Sequence, residues 1–418
     1  MRRVVVTGVG VATAWGVGNA ALGRGLSSGA VAWTELPDLL AQVASGVGGQ
    51  LDLPRKEFKN WFDPRVLRTS TMTRQTTLGC VACGDLLRDA DMLDDPGPHL
   101  DKGAYLGSFI VPPAFKKQAA ALRILGRRPE GQATGSVIHD GDLALAMKKA
   151  SAFDFLRALP NMPSSHLSIQ TGYQGPACTY LGSDASGMQS IAMGIGAIQS
   201  GLAEVMVAGG AFCPFQEVHL LWGLERGLFG ADAAGMTPYS TGRTGAVPGE
   251  GAALLYIESR EHAEARGATI LAEVVGFAQR FATPGEDDVG VRSEALATAC
   301  AGATPDWVGV DAMGHPELDL LESQAYADAF GDAPLAAVSA TPLVGFSGPA
   351  NGPVNLVSAL LAARGEFEPA RNAGNDPACA TLGAATARAG RTGAGALALG
   401  STFSLDGVHS AVALRVEG

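Results

Sequence analysis

Apolar positions along this chain follow two alternating patterns. Some form short continuous runs; others recur at helical spacing over longer stretches. The stretch from Gly172 to Ala211 shows both in sequence. Ala177–Leu181 is a short run suited to a buried strand, and residues 182–187 are a small-residue turn. Met188–Gln199 then carries Met188, Ile191, Ile195 and Ile198 on one helical face. Glu204–Ala208 predicts a second strand, stopped by Gly209-Gly210. A strand that breaks sharply into a helix lifts one side chain toward the first backbone N–H groups of that helix. Those groups and the helix dipole favour an anion there, and enzymes place nucleophiles at such elbows. The residue on this elbow is Asp184.

The same alternation runs through the chain. Strands are predicted over Arg3–Thr7, Ala104–Val111 and Ala252–Glu258, with helices over Met72–Ala90, Phe115–Leu125, Asp142–Leu159 and His219–Phe229. Pro160–Pro163 is read as a stop. After Glu258 the pattern begins again, and the two halves end alike. VMVAGGA, a long excursion and ALLYIES close the first; ALALGST, a short turn and AVALRVE close the second. This predicts a duplicated α/β unit with halves at residues 1–258 and 259–418 and an insertion at about 112–163. The strands are apolar along their whole length, as in a sheet buried on both faces.

Composition narrows the function. A net charge of −11 argues against nucleic acid as a partner, because phosphate binding needs a basic surface. No apolar run reaches the roughly 20 residues of a membrane span. The opening MRRVVVTGVGVATAWG has the charge and apolar run of a leader, but Gly8, Gly10 and Gly16 interrupt it, so a strand-to-loop entry and a cytoplasmic protein are expected. The cysteines sit in apolar or small-residue settings. Cys80 and Cys83 form a CxxC with no second pair, so buried reduced thiols are expected, and neither a metal nor a cofactor. Two basic clusters stand out in an acidic chain, one containing Arg65, Arg68 and Arg74, the other Lys116, Lys117 and Arg123. Solvated surface and a docking site for an acidic partner are the two readings.

RVVVTGVGVAT at the start, VMVAGGAF after the elbow helix, PGEGAA before Ala252–Glu258 and SATPLVGFSGPANG in the second half together resemble the β-ketoacyl synthases. The resemblance covers nearly the whole chain. It implies a thiolase-like five-layered α/β/α/β/α sandwich built from two duplicated halves. The family's chemistry needs an elbow cysteine for the acyl thioester, two histidines for malonyl activation and a nearby lysine. Matched by motif, the cysteine position falls on Asp184, the histidines on Met313 and Phe346, and the lysine on Thr341. The family's Gly-Phe-Gly-Gly gating loop becomes Ser404-Leu405-Asp406-Gly407. A carboxylate cannot carry reversible thioester exchange at useful rates, and Met and Phe have no proton to give.

Such losses are the normal state of one subgroup, the chain length factors of bacterial type II polyketide synthases. MGHPELDLLESQA resembles that subgroup, with Pro-Glu-Leu-Asp and a following Glu two residues closer than in active enzymes. The departure is Asp184, where that subgroup's aromatic-polyketide members usually have Gln. The resemblance implies a non-catalytic subunit in a heterodimer with an active ketosynthase, served by an acyl carrier protein, in polyketide or polyene biosynthesis. Cys178, Thr179, Tyr180 and Leu181 would pair across the dimer axis. Phe109, Phe115 and Leu405 would line the acyl tunnel, with ordinary core as the alternative for the aromatics. Arg65, Arg68, Lys116 and Lys117 would dock the carrier. The extension at 126–159 would cap the partner's site or reshape the tunnel.

Asp184 itself reads either as a helix N-cap or as a group that repels an incoming malonyl carboxylate or bonds across the interface. Cys178 and His315 are rival chemical groups, the first six residues before the elbow and expected inside the strand, the second expected on a loop surface before Pro316. Two further functions remain open. One is an enzyme of altered chemistry, a malonyl decarboxylase or acyltransferase; the other is a homodimeric acyl-binding scaffold.

Overall fold

The computed structural model describes residues 2–36, 46–67, 69–95, 99–111, 120, 144–146, 148, 152–230, 232–283, 285–331 and 333–418. Arg68, Phe115, Lys116, Lys117 and most of the 126–159 extension lie outside the described residues.

The strands are β1 (Val4–Thr13), β2 (Gly16–Val17), β3 (Trp33–Glu35), β4 (Val47–Gly49), β5 (Lys102–Ser108), β6 (Ala177–Leu181), β7 (Val205–Phe212), β8 (Gly251–Ser259), β9 (Ala272–Phe281), β10 (Trp307–Gly309), β11 (Ala336–Val338), β12 (Leu397–Phe403) and β13 (Val408–Val416). Within the main sheet the order is β11-β10-β12-β13-β9-β1-β8-β7-β5-β6. Read outward from β1, the neighbours β8, β7, β5 and β6 join antiparallel, antiparallel, parallel and parallel. Read outward from β9, the neighbours β13, β12, β10 and β11 repeat that series. The topology is thus duplicated, and the two units meet where Val5 and Val6 pair with Glu273 and Ala272. Residues of β1, β5, β7, β8 and β12 are buried throughout, as their unbroken apolar runs predict.

Seven helices set the layers: α1 (Arg74–Asp89), α2 (Met162–Thr171), α3 (Ser186–Gln199), α4 (Glu217–Glu225), α5 (Asp288–Ala299), α6 (Pro316–Phe330) and α7 (Asn351–Arg364). Helices α3 and α7 touch strands of both units and so form the central layer. Helix α7 is buried from Asn351 to Ala363, as expected of a helix apolar all round. On one outer face α1 packs on β1, β7 and β8, with α2 beside it on β5 and β6. On the other, α5 packs on β9, β12 and β13, with α6 against it. The result is a thiolase-like α/β/α/β/α arrangement. Among the described residues, no helix is long and apolar enough to cross a membrane.

Two local expectations fail for clear reasons. Gly209-Gly210 does not stop β7, which continues to Phe212. A Cβ on Gly210 would lie 2.0 Å from the Pro349 carbonyl oxygen, so the glycine is there to let the turn before α7 press onto the strand. Pro160–Pro163 does not simply end a helix. Pro163 sits in the first turn of α2, where its missing N–H costs nothing, and so helps start one.

Candidate functional site

Strand β6 ends at Leu181 and α3 begins at Ser186, so the sharp elbow read from the sequence is present. Asp184 sits on it and is only 6% exposed. It is not the helix cap. The N-cap position is Ala185, no side chain caps the helix, and the first N–H, of Ser186, donates to the Ser183 carbonyl at 3.1 Å. With the backbone served locally, the Asp184 carboxylate faces a small cavity instead. That cavity measures about 10 Å³, and its walls include Arg292, Asp311, Met313, Glu322 and Phe346. Such a space holds about one water molecule. Asp184 Oδ1 has no hydrogen-bond partner among the described residues. Burial raises the carboxyl's pKa from 3.8 to about 6, with Ser404 and Ser183 pulling the other way.

The turn after β10 supplies the second wall. Glu322 on α6 accepts the N–H of Asp311 at 2.8 Å, the N–H of Ala312 at 3.2 Å and the hydroxyl of Tyr239 at 2.8 Å. Ala312 is thereby held in the left-handed region at φ 46°, a conformation that costs energy for any residue with a Cβ. This strained turn presents Met313, which is 4% exposed. Asp311 in turn accepts Asn351 Nδ2 at 2.9 Å and the Phe403 N–H at 3.0 Å. Burial pushes Asp311 and Glu322 above the usual carboxyl range.

Thr341 lies at the far end of the same network. Its hydroxyl donates to Asn351 Oδ1 at 2.9 Å and accepts Asn355 Nδ2 at 3.1 Å. Phe346 is fixed by its backbone: its N–H donates to Val247 at 2.7 Å and its carbonyl accepts Gly249 at 2.9 Å. Met313 and Phe346 belong to one apolar cluster with Leu220, Leu228 and Leu318, and Leu405 packs against it. Arg292 is the cation at the cavity, but it is held by Asp288 at 2.7 Å and lies over the Phe403 ring at 5.0 Å. The structure therefore gathers Asp184, Met313, Phe346, Thr341 and Leu405 in one region. That region is a rigid hydrogen-bonded frame around an apolar plug and several carboxyls. Met and Phe cannot move protons or hold an enolate oxygen, and no thiol stands at the elbow to carry an acyl thioester.

The loop at 404–407 closes over this plug. Ser404 Oγ donates to Ser183 Oγ at 2.6 Å, Asp406 N donates back to Ser404 Oγ at 3.1 Å, and Arg226 pairs with Asp406 at 2.9 Å. His315 is not a free loop residue. Its Nδ1 accepts the N–H groups of Glu317 and Leu318, so it caps α6, and burial lowers its pKa. Neutral imidazole is the form able to accept there. A polar residue directly before Pro-Glu is the signal for this cap.

At the far edge of the sheet, β6 pairs only with β5, so its outer side is open among the described residues. Cys178 lies in this strand as expected but is exposed, unlike the other five cysteines, which are buried. Leu181 is exposed and Thr179 and Tyr180 are half-buried. Phe109 follows β5 and stacks on Phe212, His219 and Trp222 with ring centroids 5.1–5.8 Å apart. It also borders a second cavity of about 10 Å³ shared with Ile110, Leu159 and Leu181. Ile110, Leu159 and Leu181, with Val218 and Leu221 of α4, are exposed apolar residues. His219 on α4 ties that helix to Ile110 through a 2.8 Å bond to its carbonyl, so the patch is continuous with the strand edge. Arg65 is exposed and paired with Asp63. Arg74, from the same basic cluster, is half-buried, and its guanidinium grips the buried Glu250 and the Leu51 carbonyl.

Residues 1–263 match the β-ketoacyl synthase N-terminal domain, well over half of the chain. The chain belongs to the β-ketoacyl synthase family. Among curated proteins it is similar to nodulation protein E of Rhizobium leguminosarum bv. trifolii, 29% identical over 288 residues, covering 66% of this chain and 63% of that protein. It is also similar to 3-oxoacyl-[acyl-carrier-protein] synthase 2 of Staphylococcus aureus (strain N315), 29% identical over 276 residues, covering 63% of this chain and 62% of that protein. The matched stretch is thus under two thirds of either relative. Among solved structures, the ishigamide ketosynthase/chain length factor superposes with a TM-score of 0.80 at 22% identity, covering 100% of both chains. At that identity the likeness establishes the fold.

Proposed function

We propose that this chain is a chain-length-factor-like subunit, catalytically silent, that pairs with an active ketosynthase in polyketide or polyene biosynthesis. The observation that carries this reading is the elbow chamber. It measures about 10 Å³, and its walls include a thioether, a phenyl ring and carboxyls where a ketosynthase needs a thiol and two imidazoles. An acyl chain has neither a nucleophile to join nor space to occupy. The same facts weigh against a malonyl decarboxylase or an acyltransferase at this elbow. Cys178 is outside the chamber, and His315 is occupied in capping a helix.

What the chain offers instead is a surface. The open β6 edge and its apolar surroundings suit a partner of the same fold, joined about a pseudo-twofold axis so that two edge strands meet. Cys178, Thr179, Tyr180 and Leu181 would form that seam, with Phe109 beside it bounding the acyl tunnel. Leu405 stands over the plug, away from this edge, and its proposed tunnel role rests on the resemblance alone. A similar architecture exists in the ishigamide ketosynthase/chain length factor. The name of the S. aureus relative includes an acyl carrier protein. For this chain we take such a carrier as the source of malonyl units, with exposed Arg65 among its docking residues and Arg68, outside the described residues, proposed beside it. The assembly would work in the cytoplasm, with residues 1–258 and 259–418 as its two halves.

Co-expression with the ketosynthase encoded beside it tests the pairing. A stable one-to-one complex on size exclusion is expected. Recovery of this chain solely as a homodimer would favour the scaffold reading.

A further inference from the structure

Helix α4 is fastened to the sheet by a buried histidine. His219 is only 2% exposed. Its Nε2 lies 2.8 Å from the Ile110 carbonyl oxygen, in the segment after β5, and its Nδ1 lies 3.3 Å from the Cys213 carbonyl oxygen, just after β7. Both neighbours are acceptors, and a neutral imidazole has one N–H to give. The shorter distance assigns that proton to Nε2, so the bond to Ile110 is made and Nδ1 turns a lone pair toward Cys213.

The rest of the surroundings are apolar. The rings of Phe109 and Phe212 flank the imidazole with centroids 5.3 and 5.1 Å away, and Trp222 of α4 packs on Phe109. Among the described residues no carboxylate or cation acts on the ring from these elements. The titratable group on the contacting segments is the Cys213 thiol, which burial keeps protonated. A second proton on the imidazole would gain the Cys213 carbonyl as an acceptor but would bury a positive charge with no counter-ion. Burial outweighs the two carbonyls and lowers the pKa of His219 from 6.5.

Linkage fixes the direction. A docked α4 binds this proton less readily than a helix whose histidine has reached water. The docked state is therefore fully favoured above about pH 6.5 and loses ground as pH falls through that value. The helix is nine residues long, and Val218 and Leu221 on it are exposed beside Ile110. We infer that His219 is a proton-released latch: neutral, it fastens the first half of α4 to Ile110 and shapes the apolar patch there; protonated, it lets that half of the helix come away. The latch is a property of this chain alone, and its bearing on a ketosynthase partner rests on the reading proposed above.

Amide hydrogen exchange on the full-length protein, expressed as protection factors so that the intrinsic effect of pH drops out, tests the latch. Between about pH 7.5 and about pH 5.5, protection of Leu220, Leu221 and Trp222 is expected to fall about three- to tenfold, tenfold being the ceiling for one imidazole that titrates freely when released. Amides of β7 are expected to hold theirs. His219→Gln keeps an N–H for Ile110 but does not titrate, so its α4 protection is expected to be the same at both pH values. Heteronuclear NMR of the wild-type imidazole covers a failure of that variant to fold: the Nε2–H tautomer is expected at neutral pH, with a titration midpoint below about 6.5. Equal protection at both pH values in the wild type, the same fall in the Gln variant, or a midpoint above that of free imidazole would overturn the latch. Pairing is read separately. A complex that weakens in acid for the wild type and not for His219→Gln would carry the latch to the interface, whereas failure to pair at either pH would count against the ketosynthase reading and leave the exchange result to decide the latch.

Discussion

Replacing Cys178 with arginine is expected to leave this chain folded and to abolish its stable complex with an active ketosynthase. The side chain is exposed on β6, the last strand of the sheet, so the isolated protein has room for a larger group. Sheet edges that must stay unpaired commonly carry charge, because a charge buried by an incoming strand has no partner. An arginine buried and unpaired at the seam would cost about 3–5 kcal/mol, a loss of at least about 100-fold in affinity. Size exclusion and calorimetry on the co-expressed pair would register this. Thermal unfolding of the isolated variant, unchanged from wild type, would show that the fold is intact. A variant that still forms the one-to-one complex at undiminished affinity would place the interface elsewhere.

Asp184→Asn is expected to stabilise the protein, and only above acidic pH. The native carboxyl titrates near 6 where the unfolded one titrates near 3.8. Below about pH 3 both states hold the proton and the native carboxyl carries no penalty. As pH rises from there through 6, the unfolded chain releases its proton more readily, and native stability falls. Above 7 the penalty is complete, about 3 kcal/mol for a shift of this size. Asparagine has no charge to desolvate, so its advantage over wild type should be small near pH 4, about 0.5 kcal/mol, and reach about 1–3 kcal/mol at pH 8. Denaturant unfolding of both proteins at the two pH values measures it. An Asn variant that is less stable at pH 8 would mean that contacts to the charged carboxylate outweigh its desolvation. The sign matters for function. A wild-type residue that lowers stability at neutral pH has not been kept as a cap, and a negative or proton-sharing wall facing the plug is what remains.

The duplicated sheet was legible because its strands are apolar without interruption and its two endings, ALLYIES and AVALRVE, repeat. The elbow was legible because a small-residue turn separates a strand-like run from a helix with clean apolar spacing. That Asp184, Met313, Phe346 and Thr341 lie in one region agrees with the offsets that the family's motifs imply. What the sequence concealed depends on contacts distant along the chain. Gly209-Gly210 looks like a turn in isolation; the approach of the Pro349 carbonyl, far along the chain, makes the pair part of a strand. Arg74 looks like one charge in a basic run until Glu250 closes on it. Cys178 looks buried among small residues, and its exposure depends on β6 being the last strand of the sheet. His315 carries a readable signal, since a polar residue before Pro-Glu is a helix start.

The strained turn at Ala312 is maintained by the hydrogen bonds around it. Glu322, Asp311, Asn351 and Thr341 form one buried network, and a single unsatisfied member would cost more than the strain it maintains. The network lies within the second unit and is tied to the first through the Tyr239 hydroxyl, which donates to Glu322 at 2.8 Å.

The most direct test is intact-protein mass spectrometry on the purified chain after incubation with malonyl- and acyl-loaded carrier protein. The account predicts an unchanged mass and no release of carbon dioxide until the partner ketosynthase is added. An acyl adduct on any side chain of this protein alone would contradict it.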